Sequence, residues 1–172
     1  MKLKVLAAGT VLALTALTTA HAQTLTGCYV PQSGFANSQS ISAEEQIGTY
    51  RIVLVKDTGP LRDRRLVLSG PFKGKIVGAD PLSGAPLLDH VLGDLNLEGL
   101  ILTKDDEGSV TPPIDPNTTT LTVTEVLNPI AGTGKFSGLR PTGNSITVTG
   151  TLDLATGTNT FDVEPGGQVC FD

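Results

Sequence analysis

The sequence predicts an all-β protein, a single antiparallel β-barrel of roughly eight strands, with a β-sandwich as the alternative. Three observations point there. Apolar and polar residues alternate with a period of two over several stretches, clusters of Gly, Pro, Asn and Asp separate those stretches, and helix signals are scarce. Ser42 with Glu45 three residues later resembles a capping box, yet the residues after Glu45 support only a turn or two of helix.

Taken in order, residues 1–22 read as a secretory signal rather than as part of the fold. Lys2 and Lys4 form a basic start, residues 5–17 are uncharged and mostly apolar, and Ala20-His21-Ala22 has the small-x-small form of a signal-peptidase site before Gln23. The apolar run is too short and too interrupted by Thr for a span of about 20 residues. No second candidate occurs downstream, so residues 23–172 are expected to be one β-rich domain, exported to the periplasm or outside the cell, without a transmembrane segment.

Strands are expected at residues 25–30, 50–55, 64–68, 72–77, 87–92, 95–103, 119–127, 135–137, 145–154, 160–163 and 168–171. The clearest is 145–154, where Ile146, Val148, Leu152 and Leu154 share one parity and Thr147, Thr149, Thr151 and Asp153 the other. Residues 119–127 repeat the pattern with Leu121, Val123 and Leu127. Residues 50–55 are apolar on both faces and β-branched, which fits deeper burial. Residues 31–40, rich in Ser, Gln, Asn and Gly, read as a solvated loop. Residues 104–117 carry Asp105, Asp106, Glu107, Pro112, Pro113, Asp115 and Pro116, and are expected to lie outside any central strand.

Cys28 and Cys170 are the only cysteines. An even count in an exported chain suggests a disulfide, here tying the first strand to the last. Leu25-Thr26-Gly27-Cys28 also has the shape of a bacterial lipobox, which would anchor the chain by a lipid on Cys28. His21, Gln23 and Thr24 separate it from the apolar run, which normally abuts the modified Cys.

In the second half, Gly132-Thr133-Gly134-Lys135-Phe136-Ser137-Gly138, then Ile146-Thr147-Val148-Thr149-Gly150, then Ala155-Thr156-Gly157 resemble a pattern of exported bacterial proteins of unknown role and of the allene oxide cyclase and dirigent type of β-barrel. The resemblance spans about residues 87–171 and rests on turn glycines and a buried Phe. It implies a closed antiparallel barrel with room for side chains or one small ligand. It carries over no catalytic residue.

Composition narrows the function classes. There are 12 Lys and Arg against 17 Asp and Glu, a net charge of −5, so a phosphate-binding surface for nucleic acid is not expected. With no Trp and only Tyr29 and Tyr50 as tyrosines, the aromatic platforms of carbohydrate binders are hard to build. No nucleophile elbow, Walker loop, EF-hand loop or dinucleotide fingerprint is present, and no cofactor is expected. His90 is the sole histidine after the signal, which excludes a zinc site built on several histidines.

One constellation survives. His90 shares parity with Leu88 and Leu92, and Glu125 with Leu121, Val123 and Leu127, so both point inward if the strands are read correctly. Such a pair could perform acid–base chemistry in a barrel mouth. The ordinary alternative places His90 at a strand end in water and Glu125 at a bulge or edge. Asp105, Asp106, Glu107 and Asp115 offer hard oxygen ligands for calcium, although a solvated, Pro-rich acidic loop explains the same residues at lower cost. Lys56, Arg62, Arg64, Arg65, Lys73 and Lys75 form a basic concentration, an anion-attracting patch or simply charged outward faces.

The leading expectation is a non-enzymatic exported barrel with a binding or surface-associated structural role, its partner a small apolar ligand or an envelope component. The alternatives are a small barrel isomerase or cyclase using an interior acid–base pair, and an adhesion or pilus-type β-sandwich subunit. A dry interior with His90 exposed favours the first, a pocket containing both His90 and Glu125 the second, and a groove beside an open edge the third.

Overall fold

The computed structural model describes residues 25–56, 58–60, 64–113, 115 and 117–172, so the expected signal segment lies outside the described residues. The strands are β1 (Gly27–Ser40), β2 (Glu45–Val55), β3 (Arg65–Ala79), β4 (Pro86–Gly93), β5 (Leu100–Thr103), β6 (Asp106–Thr111), β7 (Thr120–Leu127), β8 (Pro129–Gly132), β9 (Ile146–Asp153), β10 (Thr158–Val163) and β11 (Val169–Phe171). They pair antiparallel in the order β3-β2-β1-β10-β9-β7-β6-β4, and a β3–β4 ladder closes the ring into a barrel of eight strands. β5 and β8 extend the β6–β7 ladder past a break, and β11 flanks the start of β1. Closure gives the ring strands a neighbour on each side, which replaces the sandwich alternative with one continuous ladder.

Several expected elements shift for readable physical reasons. Residues 31–40 are not a loop: β1 runs through them, paired with β2 on one side and β10 on the other. Their polar composition is that of a half-exposed strand, paired with β2 on either side of a bulge after Pro31 and with β10 from Phe35 to Gln39. The two strands expected at 64–68 and 72–77 are one, β3, continuous through Gly70 and Pro71. Residues 104–117 also need correction. β6 lies between β4 and β7 in the ring, with Asp106 and Gly108 buried, and the pairing ends only where Pro112 and Pro113 begin.

The stretch expected as a strand at 95–103 is extended only over β5. Before it the chain turns, with Leu97 in the left-handed region at φ 59°. Residues 134–136 form a single 3-10 turn rather than a strand. Gly134 takes φ 57°, and a Cβ there would run into the Glu98 carbonyl oxygen, so only glycine fits. That turn delivers Phe136, fully buried, and Lys135, whose Nζ reaches Asp94 Oδ1 at 2.6 Å and Glu98 Oε2 at 3.0 Å.

The barrel is polarised along its axis. One end is plugged by Leu54, Leu68, Ile101, Phe136, Ile146, Val169 and Phe171, all almost fully buried. The Cys28–Cys170 disulfide forms at this end, between residues directly opposed in the β1–β11 ladder. It occupies the sulfur a lipid anchor would need. The opposite end is ringed by the β1–β2 turn, the end of β3, the starts of β4 and β10, and the end of β9. Packing is thus thorough at one end and relaxed at the other, which sets where a ligand can enter.

Candidate acid–base site

At mid-height, where the plug gives way to the open end, β4 turns His90 inward and β7 turns Glu125 inward. The alternation that buries Leu92 and Leu127 dictates both orientations. Space for the imidazole comes from Gly74, directly opposite in the β3–β4 register. A Cβ at Gly74 would lie 2.5 Å from His90 Nε2 and 2.7 Å from its Cδ2. Gly74→Ala is therefore expected to push the ring off its partners and cost ~1 to 3 kcal/mol. Urea unfolding and the His90 ring resonances read this; an unshifted ring titration in a folded variant would refute it.

The partner that sequence reasoning missed is Asp106. Its Oδ2 accepts the His90 Nδ1 hydrogen at 2.8 Å and the Thr103 hydroxyl, and its Oδ1 accepts the Asn128 backbone N–H at 2.6 Å. Thr103 Oγ1 in turn accepts the His90 backbone N–H at 2.8 Å. These bonds repair a break in the ladder. β4 pairs with β5 and β6 on either side of Lys104 and Asp105, where Asp105 takes φ 50°, and side chains there replace the missing backbone bonds. The irregularity also aims Asp106 at the histidine.

Glu125 sits between Gly108 and Val148 in register, with its Oε1 3.4 Å from His90 Nδ1. The single Nδ1 hydrogen goes to Asp106, so Oε1 attracts the ring electrostatically yet has no hydrogen-bond partner among the described residues. Burial pushes the Glu125 carboxyl up to about 7; the His90 charge opposes that rise and the Asp106 charge adds to it. For His90, burial works to lower the pKa. The Asp106 hydrogen bond and the nearby Glu125 and Asp106 charges outweigh it, and the imidazole is held above its ordinary value. One carboxyl poised near neutrality beside a fixed imidazole is an arrangement that can take up and return a proton.

Two spaces meet at this site. The inner one, about 40 Å³, is walled by apolar side chains such as Tyr50, Phe72, Leu92 and Phe161, with His90 and Glu125 on its boundary. The outer one, about 150 Å³, opens at the mouth between Ser42, Glu45, Ile76, Leu88 and Asn159, and Glu125 lines it too. Both are smaller than the ~300 to 1,000 Å³ common for drug-sized ligands, which limits an occupant to a small molecule.

The calcium candidates are not gathered. Asp106 is buried in the barrel, whereas Asp105, Glu107 and Asp115 are exposed, and Asp115 is engaged by the Asn117 backbone and side chain. His90, Asp106 and Glu125 are close enough to touch one cation. Their geometry is accounted for by proton sharing, since Nδ1 and both Asp106 oxygens already make short hydrogen bonds within the network. Of the basic concentration, Lys73 pairs with Glu45 at 3.0 Å, Lys56 stands 5.1 Å over the Tyr29 ring, and Arg64 Nε donates to the Gly59 carbonyl at 2.8 Å. Arg62 lies outside the described residues.

Comparison with protein-family models, curated proteins and solved structures finds no match to this chain.

Proposed function

We propose that the protein is an exported small-barrel acid–base catalyst, an isomerase or cyclase that moves a proton on a small, mostly apolar molecule held at the barrel mouth. The observation that carries this reading is Glu125. Its unpartnered oxygen is buried, its carboxyl titrates near neutrality, and it lines both the apolar inner space and the mouth. Glu125 is the proton-transferring group. His90 positions it electrostatically and is itself locked by Asp106, so the ring cannot swing away as the carboxyl changes charge. The apolar walls exclude water from the acceptor. The disulfide fits the oxidising compartment that the signal-like start implies. The resemblance to allene oxide cyclase and dirigent barrels agrees with a closed barrel holding one small ligand.

Proton abstraction next to a carbonyl exchanges carbon-bound hydrogen with solvent, so the reaction class can be read without knowing the natural substrate. In D₂O the protein is expected to speed deuterium uptake into 2-hydroxycyclohexanone, with the rate rising through about pH 7 as Glu125 ionises and levelling off above. Glu125→Gln should lower the rate by ~10² to 10⁴. Mass spectrometry reads both. An acceleration unchanged in Glu125→Gln, or none at all, defeats the proposal.

A second reading, a purely binding barrel with no turnover, is favoured by one observation, the small size of the two spaces. It predicts binding of the same probe without exchange.

A further inference from the structure

The mouth holds a second unpartnered polar atom, and it belongs to residues the acid–base site does not use. Asn159, at the start of β10, is 3% exposed. Its Nδ2 donates to Ser38 Oγ at 3.1 Å, to Gln46 Oε1 at 3.1 Å and to Ser40 Oγ at 3.4 Å. Ser38 Oγ donates to the same Gln46 oxygen at 2.7 Å. These bonds fix the amide's orientation and leave Oδ1 buried with no partner among the described residues. Among those residues it and Glu125 Oε1 are the two buried side-chain atoms in that condition, both are acceptors, and both residues line the mouth space. A buried acceptor left unpaired costs free energy comparable to a lost hydrogen bond, so a pocket carrying two of them is completed by an occupant that brings donors.

The charge of the lining points the same way. Glu44, Glu45 and Glu125 border the space, and among the described residues no Lys, Arg or His does. Glu45 is paired with Lys73, Ser40, Ser42, Gln46 and Asn159 add uncharged polar groups, and the larger part of the wall is apolar, with Ile76, Leu88, Val110, Val123, Leu152 and Phe161. An anion would meet carboxylates without a compensating cation.

We propose that the mouth pocket selects a small non-anionic molecule with an apolar body and at least two hydrogen-bond donors, one for Glu125 Oε1 and one for Asn159 Oδ1. This rests on the catalytic reading of the same pocket for its place in a reaction, but not for the binding itself. A hydroxyl or amine donor meets each acceptor while the hydrocarbon body covers the apolar wall. With Glu125 ionised, ketone and carboxylate groups, which offer only acceptors, leave both protein atoms unpaired. Discrimination against an analogue lacking the donor is steep for the same reason, since the penalty falls on the protein's own buried groups.

Four probes of one shape test this on the unmodified protein by ligand-detected NMR titration, run above the Glu125 value of about 7 so that its carboxyl is ionised: cyclohexane-1,2-diol, 2-hydroxycyclohexanone, cyclohexanone and cyclohexanecarboxylate. The diol is expected to bind at least about tenfold more tightly than cyclohexanone, with the hydroxyketone between them and the carboxylate weakest. Asn159→Ala, checked for a native circular dichroism spectrum and thermal transition, should bring the diol down to the level of cyclohexanone while leaving cyclohexanone itself unchanged. Equal affinity for diol and ketone, tightest binding of the carboxylate, or no binding of any probe overturns the proposal. If Asn159→Ala fails to fold, the order of the four probes on the unmodified protein still decides. Binding selectivity without deuterium exchange would retire the catalytic reading alone, and exchange without donor selectivity would retire this one alone.

Discussion

Cys170→Ser is expected to lower the unfolding free energy by ~2 to 5 kcal/mol. The disulfide joins positions 142 residues apart, so it closes a loop over nearly all the described chain and restricts the unfolded ensemble accordingly. It also fastens a short element at the plugged end. β11 is three residues long, with β1 on one edge and a single bridge from Phe171 to Leu139 on the other, and it places Val169 and Phe171 in the plug, the latter edge-on to Tyr29 with ring centroids 6.0 Å apart. Asn144 and the 138–140 segment are further tethers: Asn144 Oδ1 accepts the Cys170 N–H at 2.8 Å while its Nδ2 donates to the Pro129 and Arg140 carbonyls, and the Arg140 N–H donates to the Cys170 carbonyl at 2.9 Å. Loss of the bridge should release β11 and open the plug first. Urea unfolding is to be compared among the oxidised protein, the reduced protein and Cys170→Ser, and the last two should coincide. A midpoint for Cys170→Ser equal to that of the oxidised protein would show that the bridge contributes nothing. Because the bridge is at the plugged end, the His90 resonances of the folded variant should stay where they are.

How much of this was legible in the sequence depends on the range of the interactions concerned. Period-two stretches such as β7 and β9 could be read almost to the residue, because alternation is local and each strand has one buried face. The disulfide could be read from cysteine parity together with the export expected from residues 1–22. β1 beyond Val30 could not, since its residues are polar and only pairing on both sides, with β2 and β10, makes them a strand. β6 was hidden by its acidic start and by the prolines that end it.

The same division runs through the site. The inward direction of His90 and Glu125 follows from parity with their leucine neighbours, but their 3.4 Å approach depends on the order of β4, β6 and β7 around the barrel, which no local pattern encodes. Asp106 looked like one of a run of surface acids. Its burial comes from the break at Lys104 and Asp105, and the one available hint was its shared parity with Gly108, a position with no side chain to turn outward. Asn159 gave no hint, because an Asn at the start of a strand reads as turn chemistry.

Asp106→Ala should be the most damaging single change near the site, at ~3 to 5 kcal/mol, the range for removing one partner of a buried charged pair. Three donors lose their acceptor together: the His90 ring, the Thr103 hydroxyl and the Asn128 backbone N–H. The pH dependence separates this from a simple cavity. Glu125 is raised from 4.5 to about 7 in the fold, so the stability it contributes is complete below 4.5 and is lost as pH rises to about 7. His90 is raised above 6.5, so its contribution is complete below 6.5 and is lost as pH climbs through its folded value. Turn carboxylates act in the opposite direction. Asp80, Asp115 and Asp153, held below the usual range chiefly by backbone N–H groups, lose their contributions as pH falls below 3.8. Stability should therefore peak well on the acidic side of neutrality, at roughly pH 4 to 4.5, and decline toward pH 8. Without Asp106 the histidine loses the hydrogen bond that raised it, whereas Glu125 keeps the burial that chiefly raises it and loses only the smaller push of the Asp106 charge. The His90 shift shrinks, and the part of the decline that lies above pH 6.5 should flatten on top of the overall loss. Urea midpoints at intervals across that range test the argument. A loss in Asp106→Ala that is the same at every pH would mean that Asp106 fills space and repairs the ladder break without governing the charge of the pair.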